Sequence, residues 1–320
     1  MEIYKFEPIY KERVWGGTGF SDKLNRVVPT NLNIGESWEI VDRNEDQSKV
    51  SAGKHKGMTL RQLITDHSEY LLGPRWIKGD PFPILVKWLD CAERLSLQVH
   101  PPQKIASEWG GEPKTENWYV FSATPQAGLF IGLKKGVDKK VFTQALNQNR
   151  AEEYCHRVSS EDGDSVLVRS GRIHAIDAGN LILEIQQNSD TTYRVFDWQR
   201  VGLDGKPRDL HIEQSLRCID FSDHEPMPMK THSEREFECL ADSEYFKLLK
   251  YSTKGGITVG IKDKNDQCVI ISVVKGEIQI GEETVGVGEQ CISPFGEPCS
   301  IHSNCDSCFL VTKDFNEPAS

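Results

Sequence analysis

The sequence predicts a mainly β protein of two domains, built from antiparallel sandwiches or barrels. Short apolar runs follow one another closely and are separated by Gly, Pro, Asn and Asp. Strands at this spacing favour antiparallel sheets over parallel βαβ units. A polar, Pro-interrupted stretch over residues 220–238 then separates a larger first part of the chain from a smaller second part.

The first part carries most of the strand signals and all of the helix signals. Strands are predicted at residues 83–89, 95–100, 118–121, 129–133, 165–168 and 181–185. Helices are predicted at residues 59–64, where Thr59 is the N-cap, at 139–156 and at 210–216. Residues 245–315 are predicted to form strands almost throughout. We therefore expect a domain at 1–235 with a helical insertion around 139–156, and a smaller β domain at 236–320.

Composition excludes several classes of protein. The 320 residues include 38 basic and 48 acidic side chains, for a net charge of −10. A nucleic-acid-binding protein normally has a basic excess, because contacts to phosphate carry its affinity. The sequence has no apolar run of about 18 residues and no apolar signal core near its start. We expect a cytoplasmic protein that binds neither nucleic acid nor membranes.

The cysteines predict free thiols in a reducing compartment. There are nine, an odd number, and they are scattered along the chain. Cys305 and Cys308 form the one close pair. A zinc ribbon would need a second such pair, so we interpret these two as ordinary residues of the last turn and strand.

A candidate metal site is built around residues 95–102. Gln98 and His100 are two residues apart, and alternate side chains of a strand share one face. The Pro-Pro pair that follows ends the strand at that point. Glu116 and His174 would complete a set of two imidazoles and a carboxylate with an open position, which is typical of a catalytic divalent metal such as Zn²⁺. The set contains no thiolate, which argues against a structural zinc site.

A weak internal pattern relates the two parts of the chain. In the first part Gly163-Asp164 precede an apolar strand and then His174, and in the second part Gly288-Glu289 precede Cys291-Ile292 and then Pro294. Both segments resemble the second motif of cupin barrels, which implies two cupin-like jelly-roll barrels. The second copy has no histidine at the matching position, so the smaller domain is expected to lack a metal.

Taken together, these residues resemble type I phosphomannose isomerase in its short, two-cupin form. The similarity covers roughly residues 4–220 well and the remainder weakly. The matching segments, in the family's order, are Trp15-Gly16-Gly17, Gly35-Glu36-Ser37-Trp38, residues 81–90, Ser96 to Pro101, Lys114-Thr115-Glu116, Gly171 to Ala175, Gln186 to Trp198 and Gly205 to His211.

The resemblance implies a metal-dependent enzyme that interconverts mannose 6-phosphate and fructose 6-phosphate through an enediol. It implies one Zn²⁺ per chain, held by His100, Glu116 and His174. Gln98 is a ligand in the longer relatives and is replaced in some short ones. The sugar-phosphate pocket is implied to contain Lys114, Asp190 and Arg194, with Ser96 and Lys87 nearby. We expect a monomer or a weak homo-oligomer.

The chemistry assigns roles to these residue types. Arg194 is always charged and could stabilise the oxyanion that develops during the reaction. Zinc could stabilise the same oxyanion as a Lewis acid, or it could only hold a water molecule in position. Lys114 and Ser96 are candidates for gripping the phosphate. The base that moves the proton is Asp190, Lys114 or a zinc-bound water, and the sequence leaves these three open.

Other interpretations stay open at this point. Arg194 could simply form an ion pair with Asp190. Lys87 is flanked by apolar residues, so a snorkelling side chain or a buried ion pair is as consistent with the sequence as a contact to substrate. Arg169 stands where many relatives have Pro, and Ile176 where longer relatives have Tyr. The competing hypotheses are another metal cupin, such as an iron oxygenase or a different sugar isomerase, and a sugar-phosphate sensor that binds without turnover.

Overall fold

A computed structural model describes residues 2–29, 31–231 and 235–315 and is mainly β. The strands are β1 (Tyr4–Lys5), β2 (Ile9–Gly17), β3 (Ile34–Ile40), β4 (Ile84–Cys91), β5 (Leu97–Val99), β6 (Glu116–Ala123), β7 (Gly128–Leu133), β8 (Cys155–Ser159), β9 (Ser165–Val168), β10 (His174–Ile176), β11 (Asn180–Gln187), β12 (Tyr193–Phe196), β13 (Phe237–Asp242), β14 (Lys247–Thr253), β15 (Ile257–Lys262), β16 (Val269–Lys275), β17 (Glu277–Ile280), β18 (Glu283–Gly286), β19 (Gln290–Ser293), β20 (Cys299–Ser303) and β21 (Ser307–Lys313). The helices are α1 (Gly19–Leu24), α2 (Leu60–Leu72), α3 (Gln103–Trp109), α4 (Lys139–Asn147) and α5 (Ile212–Cys218), with a 3₁₀ turn at Ala151–Tyr154. The predicted fold class is confirmed.

Contacts divide the chain into two compact units. The C-terminal unit contains residues 1–9, 38–87 and 231–320, and the central unit contains residues 10–37 and 88–230. Each unit is therefore assembled from separate stretches of the chain. The predicted domain limits, 1–235 and 236–320, stay a prediction.

The C-terminal unit contains two antiparallel sheets. One has the strand order β1-β19-β16-β21-β14-β13 and the other β15-β20-β17-β18. Their shared core is aliphatic and aromatic, with Ile271, Ile301 and Phe309 all buried completely. The predicted second copy of the cupin motif falls on β19. The next histidine along the chain, His302, lies on β20, where its Nδ1 is 2.9 Å from the Thr258 hydroxyl.

The central unit carries the predicted metal residues. A five-stranded sheet has the order β12-β5-β10-β7-β8, and β11, β6 and β9 are neighbours in a second antiparallel sheet. Side chains alternate in direction along each strand. Leu129, Ile131 and Ile176 of the first sheet therefore pack against Trp118 and Ile182 of the second. These apolar side chains fill the space between the two sheets. Polar residues of β5, β6 and β10, among them Gln98, Glu116 and His174, lie next to this apolar core.

Helices cover the opposite face of the five-stranded sheet. Val99, Phe130 and Val195 lie on that face in one buried cluster with Phe142 of α4, and Leu216 of α5 packs against them. The predicted helix at 139–156 is wrong in its second half. Helix α4 ends at Asn147, a 3₁₀ turn follows, and residues 155–159 form β8, which pairs with β7. The helix ends because Asn149 adopts a left-handed backbone (φ 56°), and the β pairing then decides the conformation of the next residues.

Most other local predictions agree with the structure. Each of the six predicted strands overlaps an observed strand, and α2 begins after Thr59 with a complete capping box to Gln62. Helices α1 and α3 were not predicted. Helix α3 begins after Pro102 and ends at Trp109, where Gly110 caps it in the left-handed conformation that glycine favours.

The described residues, 2–29, 31–231 and 235–315, contain neither a helix suited to spanning a membrane nor a disulfide bond. No helix there has both the length and the apolar character needed to span a membrane. All nine cysteines fall in this part of the chain, and no disulfide bond joins any of them. Cys308 lies on β21, in agreement with its interpretation as an ordinary strand residue.

Candidate active site

Three neighbouring strands place three polar side chains in one row. Gln98 of β5 lies directly opposite His174 of β10 on one side and Arg194 of β12 on the other. Residues directly opposite each other in antiparallel strands project to the same face of the sheet. All three side chains therefore belong to the face that looks into the central unit.

His100, Glu116 and His174 come together inside this unit. One ligand atom from each lies within 4.8 Å of the others, and all three residues are fully buried. His100 Nε2 is 3.3 Å from Glu116 Oε2, and His174 Nε2 is 3.6 Å from Glu116 Oε1. This is the one group of at least three such ligands among the described residues.

Backbone carbonyls orient both imidazole rings. His100 Nδ1 is 3.0 Å from the Thr191 oxygen, and His174 Nδ1 is 2.8 Å from the Arg172 oxygen. A carbonyl only accepts, so each Nδ1 carries the proton and each Nε2 presents a lone pair toward Glu116. Burial lowers the pKa of His174 to about 3, and burial lowers the pKa of His100 as well. Both rings are therefore neutral, the form that binds metals.

Glu116 supplies the negative charge of the cluster. Its burial opposes ionisation, but the Lys114 ammonium holds the pKa of this carboxyl well below its usual range. Lys114 Nζ lies 2.6 Å from Glu116 Oε2. Among the described atoms, His100 Nε2 and both Glu116 oxygens are buried without a hydrogen bond of normal geometry. Two neutral imidazoles and a carboxylate with unsatisfied lone pairs fit a divalent cation.

Gln98 and Ser96 lie beside this cluster. Gln98 Nε2 is 3.2 Å from His174 Nε2, the nitrogen that faces Glu116, and the Ser96 hydroxyl is 3.4 Å from Gln98 Oε1. The two ends of a side-chain amide are exchanged by a simple flip. Gln98 can therefore present its oxygen to the same point as the two histidines.

Arg194 is anchored at one end of its guanidinium. Its Nη1 donates to the Asp209 carbonyl at 2.7 Å, and its backbone N–H donates to His211 Nδ1 at 3.2 Å. Its Nε is buried and has no partner among the described atoms. Burial, and then the nearby Arg208, lowers the pKa of Arg194. The structure thus shows an anchored cation with an unused donor, and no hydrogen bond or ion pair to Asp190 is recorded among the described side chains.

The remaining predicted residues lie in different settings. Asp190 is exposed, and its backbone N–H donates to Glu112 Oε2 at 3.1 Å. Lys87 is buried on β4 in the C-terminal unit, where its Nζ lies 4.6 Å from the centre of the Trp38 ring. Ile176, at a position that departs from the resembled family, belongs to the apolar core of the central unit.

One buried residue at this site was missed by the sequence analysis. Glu184 of β11 is 4% exposed, with one carboxylate oxygen 3.5 Å from Lys114 Nζ and the other accepting from Trp118 Nε1 at 3.1 Å. The available signal was a single acidic residue inside the apolar run 181–185. A lone charge in a buried strand requires a partner, and here Lys114 is that partner.

Comparisons with known proteins identify the family. The type I phosphomannose isomerase catalytic domain matches residues 3–121. Mannose-6-phosphate isomerase ManA of Bacillus subtilis is 35% identical over 277 residues, which cover 85% of each chain. The chain belongs to the type I phosphomannose isomerase family. A second Bacillus subtilis relative, the probable mannose-6-phosphate isomerase GmuF, is 37% identical over 255 residues, 78% of this chain and 79% of the relative.

Solved structures agree with this family assignment. The crystal structure of the mannose 6-phosphate isomerase from Bacillus subtilis superposes with a TM-score of 0.87 at 29% identity and covers 98% of this chain and 100% of that one. The apo enzyme from Salmonella typhimurium gives 0.73 at 15% identity, with 98% and 100% covered, and shows a shared fold. Members of this family are metal-dependent aldose–ketose isomerases, and the buried cluster of this member is a possible metal site.

Proposed function

We propose that this isomerase interconverts D-mannose 6-phosphate and D-fructose 6-phosphate with one Zn²⁺ per chain. The observation that carries the proposal is the buried His100–Glu116–His174 cluster, in a chain 35% identical to ManA over most of its length. Neutral imidazoles and an ionised carboxylate are the ligand forms that zinc requires. Gln98 is proposed as a fourth ligand through its amide oxygen.

The reaction moves a proton between C1 and C2 of the open-chain sugar, which places negative charge on an oxygen. Bound zinc would supply Lewis-acid stabilisation of that charge. Arg194 is proposed to share this task, because its buried Nε has no partner among the described atoms and a fixed cation needs no reorganisation during the reaction.

Lys114 and Asp190 are proposed as the residues that move the proton. Burial opposes the charge of Lys114, but Glu116 and Glu184 raise its pKa, so the side chain is an ammonium in the metal-free site. The charge of a bound divalent cation would lower this pKa toward the range in which a lysine can exchange a proton. Asp190 is exposed and is the candidate acceptor. Ser96 is proposed to bind the phosphate, whose binding energy can then orient the reacting carbons. Lys87 stays a proposed substrate-binding residue.

The test is a coupled assay on the purified chain. Mannose 6-phosphate is supplied, fructose 6-phosphate is converted by phosphoglucose isomerase, and a dehydrogenase reports the product. Turnover should disappear after chelation and return with added Zn²⁺. Protein that is shown to be folded and zinc-loaded, but that gives no turnover, would contradict the proposal.

The two competing hypotheses give other results in the same experiment. A redox cupin would need iron, and restoration by zinc, a redox-inert ion, would exclude it. A sensor would bind mannose 6-phosphate in calorimetry without converting it. The coverage of the isomerase relatives, about four-fifths of each chain, favours catalysis over both.

We further infer the setting in which the chain works. The net charge of −10 and nine cysteines without a disulfide bond support a cytoplasmic enzyme of free sugar phosphates, acting as a monomer or weak homo-oligomer without nucleic-acid or membrane partners. Metal chemistry is proposed to be confined to the catalytic domain at 1–235, with the domain at 236–320 keeping a cupin-like fold and no metal. The described ligand cluster of His100, Glu116 and His174 falls within residues 1–235.

A further inference from the structure

Glu184 occupies an unusual place for a carboxylate. It is 4% exposed in the middle of β11, between Leu183 and Ile185, both of which are completely buried. A buried carboxylate destabilises a fold by several kcal/mol unless it is paired and hydrogen-bonded. Both oxygens of Glu184 have such partners, in Lys114 Nζ at 3.5 Å and Trp118 Nε1 at 3.1 Å.

The strand register places Glu184 next to the candidate ligand Glu116. On the paired strands β11 and β6, Glu184 is opposite Trp118 and Gln186 is opposite Glu116. Residues two apart on a strand share a face, so Glu184 and Glu116 project to the same side of the sheet. Lys114 Nζ lies between them, 2.6 Å from Glu116 and 3.5 Å from Glu184.

This arrangement creates a competition for Glu116. The carboxylate is the one anionic member of the metal cluster, and the Lys114 ammonium is already in contact with it. A divalent cation and an ammonium cannot share one carboxylate without repelling each other strongly. If Lys114 is to stay beside a bound metal, it needs a second carboxylate, and Glu184 lies at ion-pair distance, 3.5 Å from its Nζ.

We propose that Glu184 is a positioning residue that holds the Lys114 ammonium beside the metal site, so that metal and lysine are present together. Trp118 fixes the second oxygen of Glu184 and so directs the first toward Lys114. The proposal rests on the proposed function for its catalytic consequence, but its effect on metal binding is independent of any activity.

The first test measures zinc affinity in the Glu184→Gln variant of the full chain. Gln keeps the shape and can still accept from Trp118, but it lacks the charge that retains Lys114. Lys114 then competes fully for Glu116, and zinc should bind about tenfold more weakly in titration against a chromophoric chelator, as is common when a residue behind a metal ligand is changed. Zinc affinity equal to that of the unchanged protein would overturn the proposal.

A double-mutant cycle with Lys114→Met isolates the mechanism. Methionine has a similar length and no charge, so no competition for Glu116 remains. The Glu184→Gln change should then have no effect on zinc affinity in the Lys114→Met background. A tenfold loss in both backgrounds would show that Glu184 acts on the metal directly, and would overturn the proposed role.

The kinetic test uses a split between kcat and KM. Glu184→Gln, measured at saturating zinc, should lower kcat about tenfold or more with KM changed less than about twofold, because the lysine is misplaced and the phosphate contacts remain. Glu238→Gln is the matched control, since Glu238 is a buried carboxylate that pairs with Lys250 at 2.9 Å in the C-terminal unit. Its zinc affinity and kcat should be unchanged. Failure of the chain to isomerise mannose 6-phosphate would contradict the proposed function and leave the zinc cycle as the test of Glu184.

Discussion

The two candidate ligand histidines are held by main-chain atoms. Thr191 and Arg172 each offer a carbonyl to an Nδ1–H, and these hydrogen bonds fix which ring nitrogen faces Glu116. A carbonyl cannot be removed by substitution of its side chain, so this orientation is robust to sequence change. At the scale of single residues, the geometry of the site is thus set by the backbone, and its charge is set by Glu116 and Lys114.

Replacing His174 tests the metal cluster directly. His174→Ala removes one of the two imidazoles, so we expect zinc affinity and turnover to fall by at least about a hundredfold, beyond the loss typical of a residue behind the ligands. The ring packs edge-on against Trp118 at 5.3 Å, and we expect the fold to persist without it. Zinc content measures the loss of metal binding, and circular dichroism checks that the fold is retained. Full activity in folded His174→Ala would refute the metal-site argument.

Gln98 makes a separate prediction. If its amide oxygen is a fourth ligand, Gln98→Leu should weaken zinc binding by about tenfold, less than the loss of a histidine, because an amide is a neutral and weaker donor. The measurement is the same chelator titration. Ser96→Ala is the control, since it removes only the hydroxyl that lies 3.4 Å from Gln98. Unchanged zinc affinity in Gln98→Leu would show that this residue is not a ligand.

At the scale of elements, strand β7 depends on a glycine. Gly132 has φ +71°, a left-handed conformation, and a Cβ at this position would lie 2.6 Å from Pro226 Cδ and 2.7 Å from the Asp223 oxygen. Its backbone N–H donates to the Ile173 carbonyl, just before β10. The bend at Gly132 therefore lies between the start of strand β10, to which it is hydrogen-bonded, and the segment that follows α5, against which it packs.

Substitution of this glycine should destabilise the central unit. Gly132→Ala combines a left-handed backbone with two close contacts, so we expect the free energy of unfolding to fall by more than about 2 kcal/mol in urea titration. Gly136→Ala is the matched control, since Gly136 has φ +84° with nothing within 4 Å of the added carbon. It should lose only the strain, about 1 kcal/mol. Equal losses in the two variants would mean that the contacts at Gly132 are relieved without cost.

The turn between β10 and β11 is held by an ionic cluster. Asp177 accepts from Arg94 at 2.7 Å and from Arg157 at 2.7 Å. The Arg94 guanidinium also lies over the rings of Trp198 and Phe130, at 4.6 and 5.0 Å. Burial acts to raise the pKa of Asp177, but the bonds to Arg94 and Arg157 lower it overall. A depressed carboxyl pKa contributes stability at neutral pH that is lost in acid.

This cluster predicts a pH dependence. The contribution is complete above the ordinary aspartate pKa of about 3.9 and disappears as the pH falls below it, through the lower folded value. Asp177→Asn should therefore cost about 2 kcal/mol of unfolding free energy at pH 7, discounted because both arginines are partly exposed, and much less near pH 2. Glu153→Gln, in an exposed pair with Arg150, should change nothing measurable. A loss that is the same at both pH values would contradict the ionic explanation.

At the scale of the whole molecule, metal binding and stability are linked. The cluster buries an ionised carboxylate and two imidazoles with unsatisfied atoms, which a bound cation would stabilise in the folded state alone. Zinc at about 100 times its dissociation constant should add about 2.7 kcal/mol and raise Tm by several degrees in calorimetry. His174→Ala should lose this shift. An unchanged Tm in the unchanged protein would mean that zinc does not bind the folded site.

Local patterns in the sequence were sufficient for the strands and the fold class, whereas Glu116 and His174 were joined to His100 mainly by the order of the resembled family's motifs. Strand periodicity and turn residues depend on neighbours along the chain, and the spacing of Gln98 and His100 is itself a local property. The end of α4 was predicted wrongly, because residues 155–159 pair with β7 and that pairing outweighs the helical pattern. The resemblance to a known family carried the rest of the site.

The tertiary structure alone decided which side chains meet. Gln98, His174 and Arg194 lie in one row because β12, β5 and β10, far apart in sequence, are neighbours in the sheet. Glu184 joined the site by the same mechanism, through the register of β11 with β6. Strand order and register depend on packing over the entire unit, and no short stretch of sequence encodes them. The sequence by itself determines which residue types are available to this site, whereas the fold determines the distances between them and their charge states.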